Sequence, residues 1–449
     1  MTLTLEQEKA YEYIDQGCNI FITSRGAGCG KTFLLKHIVN HYKTKKNIAI
    51  TASTGIAAVL LNGRTLHSWA GVGLGSKDVN NLLRHINTNN AIKTRWLKTD
   101  LLLIDEISLI SPELFDKLDF IGRNIRNNSK PFGGIQLIVS GDWLQLPTID
   151  NSKYAFQSEI WKQSIHKIVY LTIIQRQKDP HFQEVLNSIR VGKITNKVKK
   201  MLRSRLNVTL ENNHGIIPTQ LYSMNVDVES INNKELNLLQ YKTGGEKKIY
   251  TIAWKPMDKK IKQQKITSYF QGSKSEDTIE SEPTINTQNV HVPQEYLEMC
   301  TAIKKLELLV GAQVMLISNL DQEKGLVNGS RGIVMRFTDE GLPIVKFLNG
   351  VQEVIDYHQW EMENDNKIVG GVVQIPLKLA YATTIHKSQG STLDYVIINL
   401  DKLFEVSQGY VGLSRVTHLE GLSIKGLDIR KFVVNRDALE FYKNLESRL

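Results

Sequence analysis

The chain has 449 residues, of which 41% are hydrophobic and 23% charged, so it can bury a sizeable core and is too long for one ordinary domain. No apolar run reaches the roughly 20 residues that span a bilayer, and three cysteines without metal-ligand spacing argue against a disulfide framework. The 56 Lys and Arg residues exceed the 46 Asp and Glu residues, and the resulting charge of +10 suits a polyanionic partner.

In the first third of the chain, short apolar stretches alternate with helical patterns. One helix is predicted to begin at Ser111 as N-cap with Pro112 in its first turn. Alternation of this kind indicates an α/β fold with a parallel sheet. The predicted buried strands are Asn19–Thr23, Ile48–Ala52, Leu101–Asp105, Ile135–Gly141 and Ile168–Leu171.

A second α/β pattern is interrupted by segments of different character. Between its pieces, Asn328-Gly329 and Asn349-Gly350 are typical hairpin turns and predict a small β-barrel. Another stretch is rich in Lys, Gln, Ser, Thr and Glu and is expected to be largely disordered. The strands predicted for the second α/β unit are Leu221–Ser223, Leu379–Ala382, Tyr395–Leu400 and Leu422–Lys425. The expected boundaries are 1–172 for the first lobe, with an accessory loop at about 65–85, 173–254 and 376–449 for the second lobe, 255–295 for the disordered insert and 305–375 for the barrel.

A glycine-rich loop follows the first predicted strand and opens a helix. Backbone N–H groups of such a loop surround phosphates, Lys31 reaches the terminal phosphates, and Thr32 can hold magnesium. Arg25 stands where the first glycine of the P-loop pattern is usual, so Gly26 would take up the tight turn. The predicted ATP-binding residues of the loop are Gly26, Ala27, Gly28, Cys29, Gly30, Lys31 and Thr32.

Acidic and amide side chains follow two later strands. Asp105 would hold Mg²⁺ through water, and Glu106 would orient the attacking water as a base. Gln145, in the stretch Gly141–Pro147, could sense the γ-phosphate or be an ordinary loop glutamine. Together with the glycine-rich loop, these residues describe a P-loop ATPase without saying which kind.

Further motifs, in order and spacing, resemble the PIF (petite integration frequency) DNA helicases of the RecD-like branch of helicase superfamily one. The resemblance covers nearly the whole chain except about 255–295. The motifs that carry it are Thr51–Gly55, Thr65–Ser68, Asp105–Ser108, Pro131–Leu137, Gly141–Pro147, Thr384–Gly390 and Tyr410–Arg415.

The resemblance implies two RecA-like lobes that close on ATP. Gln7 matches the glutamine that reads adenine, and Gln389 and Gly390 belong to a motif at the nucleotide. Arg176 and Arg415 match arginines that reach the γ-phosphate from the second lobe, where they would stabilise transition-state charge. The alternative for Arg176 is a surface ion pair, since Gln175 precedes it where the family has an aromatic residue.

The resemblance also implies a DNA path. Hydroxyls and cations hold phosphates, and imidazole rings can stack on bases, although a histidine can equally be a structural group. Movement in the 5′-to-3′ direction is implied by the resemblance alone. The family positions near single-stranded DNA are Thr54, His67, His386 and Lys387.

A short pattern in the predicted disordered insert resembles the peptide that docks onto the sliding clamp PCNA. An apolar plug from Ile266, Tyr269 and Phe270 would be accompanied by Gln263 in a polar pocket, and upstream lysines suit an acidic clamp surface. A chance match in a Gln/Lys-rich loop, packing of the aromatics back on the protein, and a nuclear import signal are the alternatives. The first fifteen residues contain four acidic side chains, whereas a mitochondrial presequence is poor in acids. A nucleus or viral replication site is therefore expected rather than a mitochondrion.

Three functions are compatible with these residues. The first is a monomeric ATP-dependent 5′-to-3′ DNA helicase that acts on single-stranded and tailed or forked DNA in replication, repair or recombination. The second is an ATP-gated module that clamps single-stranded DNA without unwinding. The third is the helicase module of a recombination nuclease or a transposition machine, whose other activities would come from partner chains. The complete set of hydrolytic residues favours the first.

Overall fold

The computed structural model describes residues 3–148, 153–210, 217–256, 300, 302–321, 324–364 and 367–448. Most of the predicted insert, and with it the clamp-like peptide at Gln263, Ile266, Tyr269 and Phe270, lies outside these residues. Within them, no helix is both long enough and apolar enough to cross a membrane.

The elements are numbered in chain order over the described residues. The strands are β1 (Ile20–Ser24), β2 (Ile48–Ala52), β3 (Arg64–Thr65), β4 (Leu101–Asp105), β5 (Gln136–Ser140), β6 (Lys167–Leu171), β7 (Thr219–Tyr222), β8 (Lys248–Thr251), β9 (Ala253–Pro256), β10 (Lys305–Leu308), β11 (Gln313–Leu316), β12 (Arg331–Phe337), β13 (Pro343–Phe347), β14 (Gln352–Val354), β15 (His358–Asn364), β16 (Lys367–Gln374), β17 (Leu377–Leu379), β18 (Ala382–Thr384), β19 (Val396–Leu400) and β20 (Leu422–Leu427). The helices are α1 (Leu5–Asp15), α2 (Lys31–Tyr42), α3 (Gly55–Leu60), α4 (Leu66–Ala70), α5 (Val79–Thr88), α6 (Asn90–Lys98), α7 (Pro112–Arg126), α8 (Glu159–Ser164), α9 (Pro180–Arg190), α10 (Asn196–Ser204), α11 (Asn225–Thr243), α12 (Gln408–Leu413) and α13 (Arg436–Glu446).

The chain divides into two compact units. The first comprises residues 1–211, 218–225 and 383–449, and the second comprises residues 212–217 and 226–382. Residues 226–254, which we expected in the second α/β lobe, therefore belong to the second unit.

A six-stranded parallel sheet forms the first part of the first unit. Its strand order is β3-β2-β4-β5-β1-β6. Every residue of β1 and β4 is buried, which is why both strands read as continuous apolar runs in the sequence. Because all neighbouring strands are parallel, the loops that follow β1, β4 and β5 emerge at one edge of the sheet, the edge at which ligands bind in folds of this kind.

A helix of this first part shows how local sequence sets the boundaries. The Ser111 hydroxyl accepts a hydrogen bond from the Leu114 N–H at 3.2 Å, and Pro112 occupies the first turn of α7, where no amide partner is needed. Leu118, Ile121 and Ile125 are buried on one face of the helix. The predicted start of this helix is confirmed.

The second sheet of the first unit has the order β18-β7-β19-β20, with β7, β19 and β20 parallel. Helices α9, α10 and α12 pack against it through a common apolar core. The single strand predicted at Leu379–Ala382 is wrong. Ala380 and Tyr381 separate two strands, and β17 pairs in the second unit whereas β18 joins β7.

Antiparallel sheets make up the second unit. Five strands follow the order β14-β13-β12-β11-β17, three the order β15-β16-β9, and β8 pairs with β10. Gly329 and Gly350 have φ of 96° and 85°, so the predicted Asn-Gly turns use the glycine conformational freedom that hairpins need. Over the described residues none of these sheets closes on itself, so the predicted closed barrel is not seen.

Candidate nucleotide site

The glycine-rich loop joins β1 to α2, as its sequence predicted. Gly28 and Gly30 have φ of 82° and 86°, in the left-handed region that glycine adopts without strain. The Lys31 Nζ donates to Ser24 Oγ at 2.8 Å, so the ammonium group lies next to the last residue of β1. The loop amides at the N-terminus of α2 and the ammonium group together favour an anion.

Two chain segments from outside the loop contact its backbone. The Gln175 N–H donates to the Gly28 carbonyl at 2.9 Å, and a Cβ added at Gly28 would lie 2.5 Å from the Cβ of Arg176. The Ala27 N–H donates to the Tyr410 hydroxyl at 2.7 Å. The loop therefore meets the segment that leads into α9 as well as the helix α12.

Two adjacent carboxylates end β4. The Glu106 backbone N–H donates to Asp105 Oδ1 at 3.0 Å, and Glu106 has a φ of 55°, an uncommon conformation for a non-glycine residue that tends to occur at functional sites. Burial, together with the charge of Asp105, raises the pKa of Glu106 to about 7. Burial also raises the pKa of Asp105.

Gln389, which follows strand β18 of the second sheet, contacts the carboxylate of Glu106. Gln389 Nε2 donates to Glu106 Oε2 at 2.9 Å. A base that orients water needs a fixed carboxylate, and this hydrogen bond fixes Glu106.

Two arginines approach the loop. Arg176 Nη1 donates to the Ser414 carbonyl at 2.9 Å, and its Nε donates to Thr392 Oγ1 at 3.1 Å. Arg415 is buried, with Nε bound to the Val411 carbonyl and Nη2 to Ser414 Oγ. Burial and the neighbouring charge of Arg176 lower the pKa of Arg415 to about 9.

These groups line one cleft of about 310 Å³. It brings together predicted residues from the loop, the carboxylate pair, and the two arginines. The predicted residues that line it are Ala27, Gly28, Cys29, Gly30, Lys31, Thr32, Glu106, Gln145, Arg176, Gly390 and Arg415, and the further lining residues are Phe33, Gln175 and Thr392.

Four further predicted residues do not line the cleft but lie next to residues that do. Gln389 and Asp105 act on Glu106 as described above, and Gly26 lies against Tyr410, where a Cβ would be 3.4 Å from the hydroxyl. Gln7 is engaged in the capping box of α1 with Thr4, and its Nε2 would lie 3.3 Å from a Cβ at Gly30. Gln7 thus borders the loop without lining the cleft.

A buried ion pair supports the site and was not found in the sequence. Arg190 Nη2 donates to Asp142 Oδ1 at 2.8 Å and to the Ser24 carbonyl at 3.0 Å, and Gln145 Nε2 donates to Asp142 Oδ2 at 3.3 Å. Burial alone would raise the pKa of Asp142, but the charges of Arg190 and Lys31 hold it below its ordinary value. The signal in the sequence was a lone arginine on the apolar face of α9.

The predicted DNA-contacting residues have local roles of their own. Thr54 Oγ1 accepts from the Ala57 N–H at 3.3 Å, within the first turn of α3. His67 is half-buried, and burial lowers its pKa. His386 Nε2 lies 2.5 Å from Glu405 Oε2, whereas Lys387 is exposed.

The carboxylates suit a divalent cation. Asp105 and Glu106 are adjacent at the end of β4, and the charge of Asp105 acts on the Glu106 carboxylate. Oxygen donors from Asp105 and Thr32 are the ligands that Mg²⁺ prefers. The residues present therefore fit magnesium.

A parallel sheet that ends in a glycine-rich loop, a loop lysine and an acidic pair defines a P-loop nucleotide-binding protein. The family model described as PIF1-like helicase matches residues 2–200, and the model described as DNA helicase Pif1, 2B domain matches residues 297–337. An ATP-dependent DNA helicase PIF1 of Danio rerio is 39% identical over 450 residues, which cover 99% of this chain and 64% of that protein. An uncharacterised protein, 030L, of Invertebrate iridescent virus 6 is 35% identical, with 99% of this chain and 94% of that protein covered.

Solved structures agree with the sequence comparisons. The crystal structure of Pif1 helicase from Candida albicans has a TM-score of 0.79 and 34% identity, covering 99% of this chain and 100% of that one. The Pif1 helicase from Bacteroides in complex with ADP-AlF3 and single-stranded DNA has a TM-score of 0.67 and 30% identity, covering 100% of this chain and 98% of that one. The chain belongs to the PIF1-like helicase family. It spans 64% of the length of the Danio rerio relative.

Proposed function

We propose that this protein is an ATP-driven 5′-to-3′ DNA helicase that translocates on single-stranded DNA and unwinds duplex in replication, repair or recombination. The observation that carries the proposal is the single cleft that joins the phosphate-binding loop, Glu106 and the two arginines. Hydrolysis that is coupled to motion needs charge-stabilising groups from two sides of one nucleotide, and here they come from both sheets of the first unit.

In the proposed reaction the loop amides and Lys31 bind the triphosphate. Glu106, held by Gln389, orients the attacking water, and Gln145 senses the terminal phosphate. Arg176 and Arg415 stabilise the charge that develops on the transferred phosphoryl group. Thr32 and Asp105 would hold Mg²⁺, which neutralises phosphate charge when it is bound.

Single-stranded DNA is the proposed track, with tailed or forked duplex as the substrate. Support comes from the charge of +10 and from the Bacteroides Pif1 structure that contains single-stranded DNA. Thr54, His67, His386 and Lys387 are the proposed contacts, through hydroxyl and cationic groups to phosphate and imidazole faces to bases.

We propose a lobe arrangement in which residues 1–172 form the first RecA-like lobe. The second lobe would comprise 173–211, 218–225 and 383–449, which is narrower than the sequence boundaries because residues 212–217 and 226–254 cluster with the second unit. The antiparallel second unit, which includes the match to the 2B domain, is the proposed counterpart of the inserted barrel.

The first test measures ATP hydrolysis with and without single-stranded DNA, followed by unwinding of duplexes with a 5′ or a 3′ tail. We expect DNA-stimulated hydrolysis and unwinding from the 5′ tail only. The Lys31→Ala variant should lose hydrolysis while it still binds single-stranded DNA. Retained turnover in that variant would remove the loop from the mechanism, and hydrolysis without unwinding from either tail would favour an ATP-gated DNA clamp.

The proposed cellular context is a nucleus or a viral replication site, with the monomer as the active species. A sliding clamp is a proposed partner through Gln263, Ile266, Tyr269 and Phe270. Titration of purified PCNA against the wild type and a Tyr269→Ala/Phe270→Ala variant tests this contact. Equal binding by the two proteins, or no binding by either, would exclude it.

A further inference from the structure

The contact between Tyr410 and the phosphate-binding loop joins two parts of the site that lie far apart in the sequence. The Tyr410 side chain is buried, and its hydroxyl accepts the Ala27 N–H at 2.7 Å. Ala27 is buried as well, so its amide would be costly to leave without an acceptor. The hydroxyl is thus the group that satisfies a loop amide inside the protein.

The fit at this contact is tight. A Cβ added at Gly26 would lie 3.4 Å from the Tyr410 hydroxyl and 3.3 Å from Asn187 Oδ1. The chain therefore uses glycine where the loop passes between a helix α9 side chain and a helix α12 side chain. Because closely packed groups do not compress, a small displacement of helix α12 at this contact would also displace the phosphate-binding loop.

The same helix and the turn after it bind the two arginines of the cleft. Tyr410 precedes Val411, whose carbonyl accepts the Arg415 Nε at 2.9 Å. The turn after α12 also binds Arg176 through the Ser414 carbonyl. One short helix and its turn thus contact the loop at one point and hold both arginines at another.

We propose that Tyr410 is a positioning residue: by accepting a hydrogen bond from the Ala27 N–H, it fixes the position of the Arg415 guanidinium relative to the phosphate-binding loop. The inference rests on the proposed function and deepens it. Tyr410 is not among the residues that line the cleft. It acts through Arg415, by setting where the arginine lies relative to phosphates held on the loop.

The Tyr410→Phe variant tests this because it removes only the hydroxyl. We expect kcat for ATP to fall by about tenfold while the Kd for a fluorescent, non-hydrolysed ATP analogue changes by less than about threefold. Tyr170→Phe is the matched control, since Tyr170 is buried in the same unit and its hydroxyl donates to Glu446 at 2.6 Å. The control should keep wild-type kcat even if it lowers the unfolding temperature.

A double-mutant cycle with Arg415→Ala separates positioning from general destabilisation. In the Arg415→Ala background, Tyr410→Phe should change single-turnover hydrolysis by less than about twofold, because the residue through which Tyr410 acts is gone. An equal loss in both backgrounds, or wild-type kcat in Tyr410→Phe, would overturn the inference. If Tyr410→Phe does not fold, hydrogen exchange in the wild type decides, and rapid exchange of the Ala27 amide overturns it.

The same assays keep the two proposals distinguishable. A wild-type protein that does not hydrolyse ATP would remove the proposed function and this inference with it. A wild type that hydrolyses ATP with an unaffected Tyr410→Phe variant would remove only the role of Tyr410.

Discussion

The Ser53 hydroxyl donates a hydrogen bond of 2.6 Å to the backbone carbonyl of Glu106. Ser53 directly precedes Thr54, a proposed DNA contact, and its backbone N–H also donates to the Asp105 carbonyl at 3.1 Å. The loop after β2 is thereby tied to the acidic pair after β4. A change at the proposed DNA-contacting loop can reach Glu106, the proposed base, through this pair of hydrogen bonds.

Ser53→Ala should therefore weaken the stimulation of hydrolysis by DNA. We expect stimulated kcat to fall roughly five- to tenfold, since the Glu106 backbone loses a partner that supports its positive φ. Steady-state hydrolysis with and without single-stranded DNA measures the effect. Ser204→Ala is the control, because the Ser204 hydroxyl also donates to a backbone carbonyl, of Met201 at 2.7 Å, on an exposed helix end. Equal stimulation in wild type and Ser53→Ala would contradict the coupling.

Arg415→Ala should keep nucleotide binding and lose turnover. An arginine that stabilises transition-state charge contributes roughly a thousandfold or more to kcat. Analogue binding and single-turnover hydrolysis measure the two steps separately. Arg430→Ala, which removes an exposed arginine paired with Asp428, should behave as wild type. Turnover near the wild-type rate in Arg415→Ala would show that this arginine does not face the phosphate.

Gly28→Ala should weaken ATP binding by at least about tenfold. An alanine Cβ would lie 2.5 Å from the Arg176 Cβ, and the backbone has a φ of 82°, so both contact and conformation oppose it. Gly244→Ala is the control and should bind ATP as the wild type does, because Gly244 lies outside the cleft and has a φ of 64° with open space around its Cβ position. Equilibrium titration with a fluorescent ATP analogue reports the effect. A normal affinity in Gly28→Ala would mean that the loop and the Arg176 segment separate readily.

Asp142→Asn should destabilise the protein in a pH-dependent way. Removing the charge leaves buried Arg190 without its counter-ion, at a cost of about 3–5 kcal/mol near neutral pH. The pKa of Asp142 is lowered in the folded protein, so the ion pair contributes fully above the unfolded-state pKa of about 4 and is lost as the pH falls through the lower folded-state value. Urea unfolding followed by tryptophan fluorescence should show that the free energies of unfolding of the two proteins differ by a constant amount above about pH 5. This difference should become smaller below about pH 4.

A difference in unfolding free energy that grew as the pH fell would contradict the predicted pH dependence of the Asp142→Asn variant. Asp428→Asn is the control, because Asp428 pairs with Arg430 on the surface and solvent screens such pairs. Its unfolding free energy should match that of the wild type across the whole pH range.

Much of the nucleotide site could be predicted because each motif follows a strand, and parallel strands bring their ends to one edge. The glycine-rich loop after β1 and the carboxylates after β4 are examples. Tyr410 and Arg190 could not be predicted in this way. Their partners, Ala27 and Asp142, lie far away in the sequence, and local periodicity carries no information on which distant residue a buried side chain meets.

The antiparallel unit shows the same limit at the level of the fold. Asn-Gly pairs identified its hairpins, because the turn needs positive φ at specific positions. Whether the strands close into a barrel depends on register and tilt across several hairpins, which a sequence pattern does not specify. The split of the stretch around Ala380 and Tyr381 between two sheets likewise depends on tertiary pairing.

The order of segments in the first unit has a consequence for biosynthesis. Strand β7 pairs with β19, but the ribosome makes the whole of 226–382 between them. At cellular rates of elongation β7 waits roughly ten to thirty seconds for its partner. During that interval the edges of a nascent strand are exposed, and unpaired edges invite association between chains. Chains released before β19 emerges should therefore depend on chaperones more than the finished protein does.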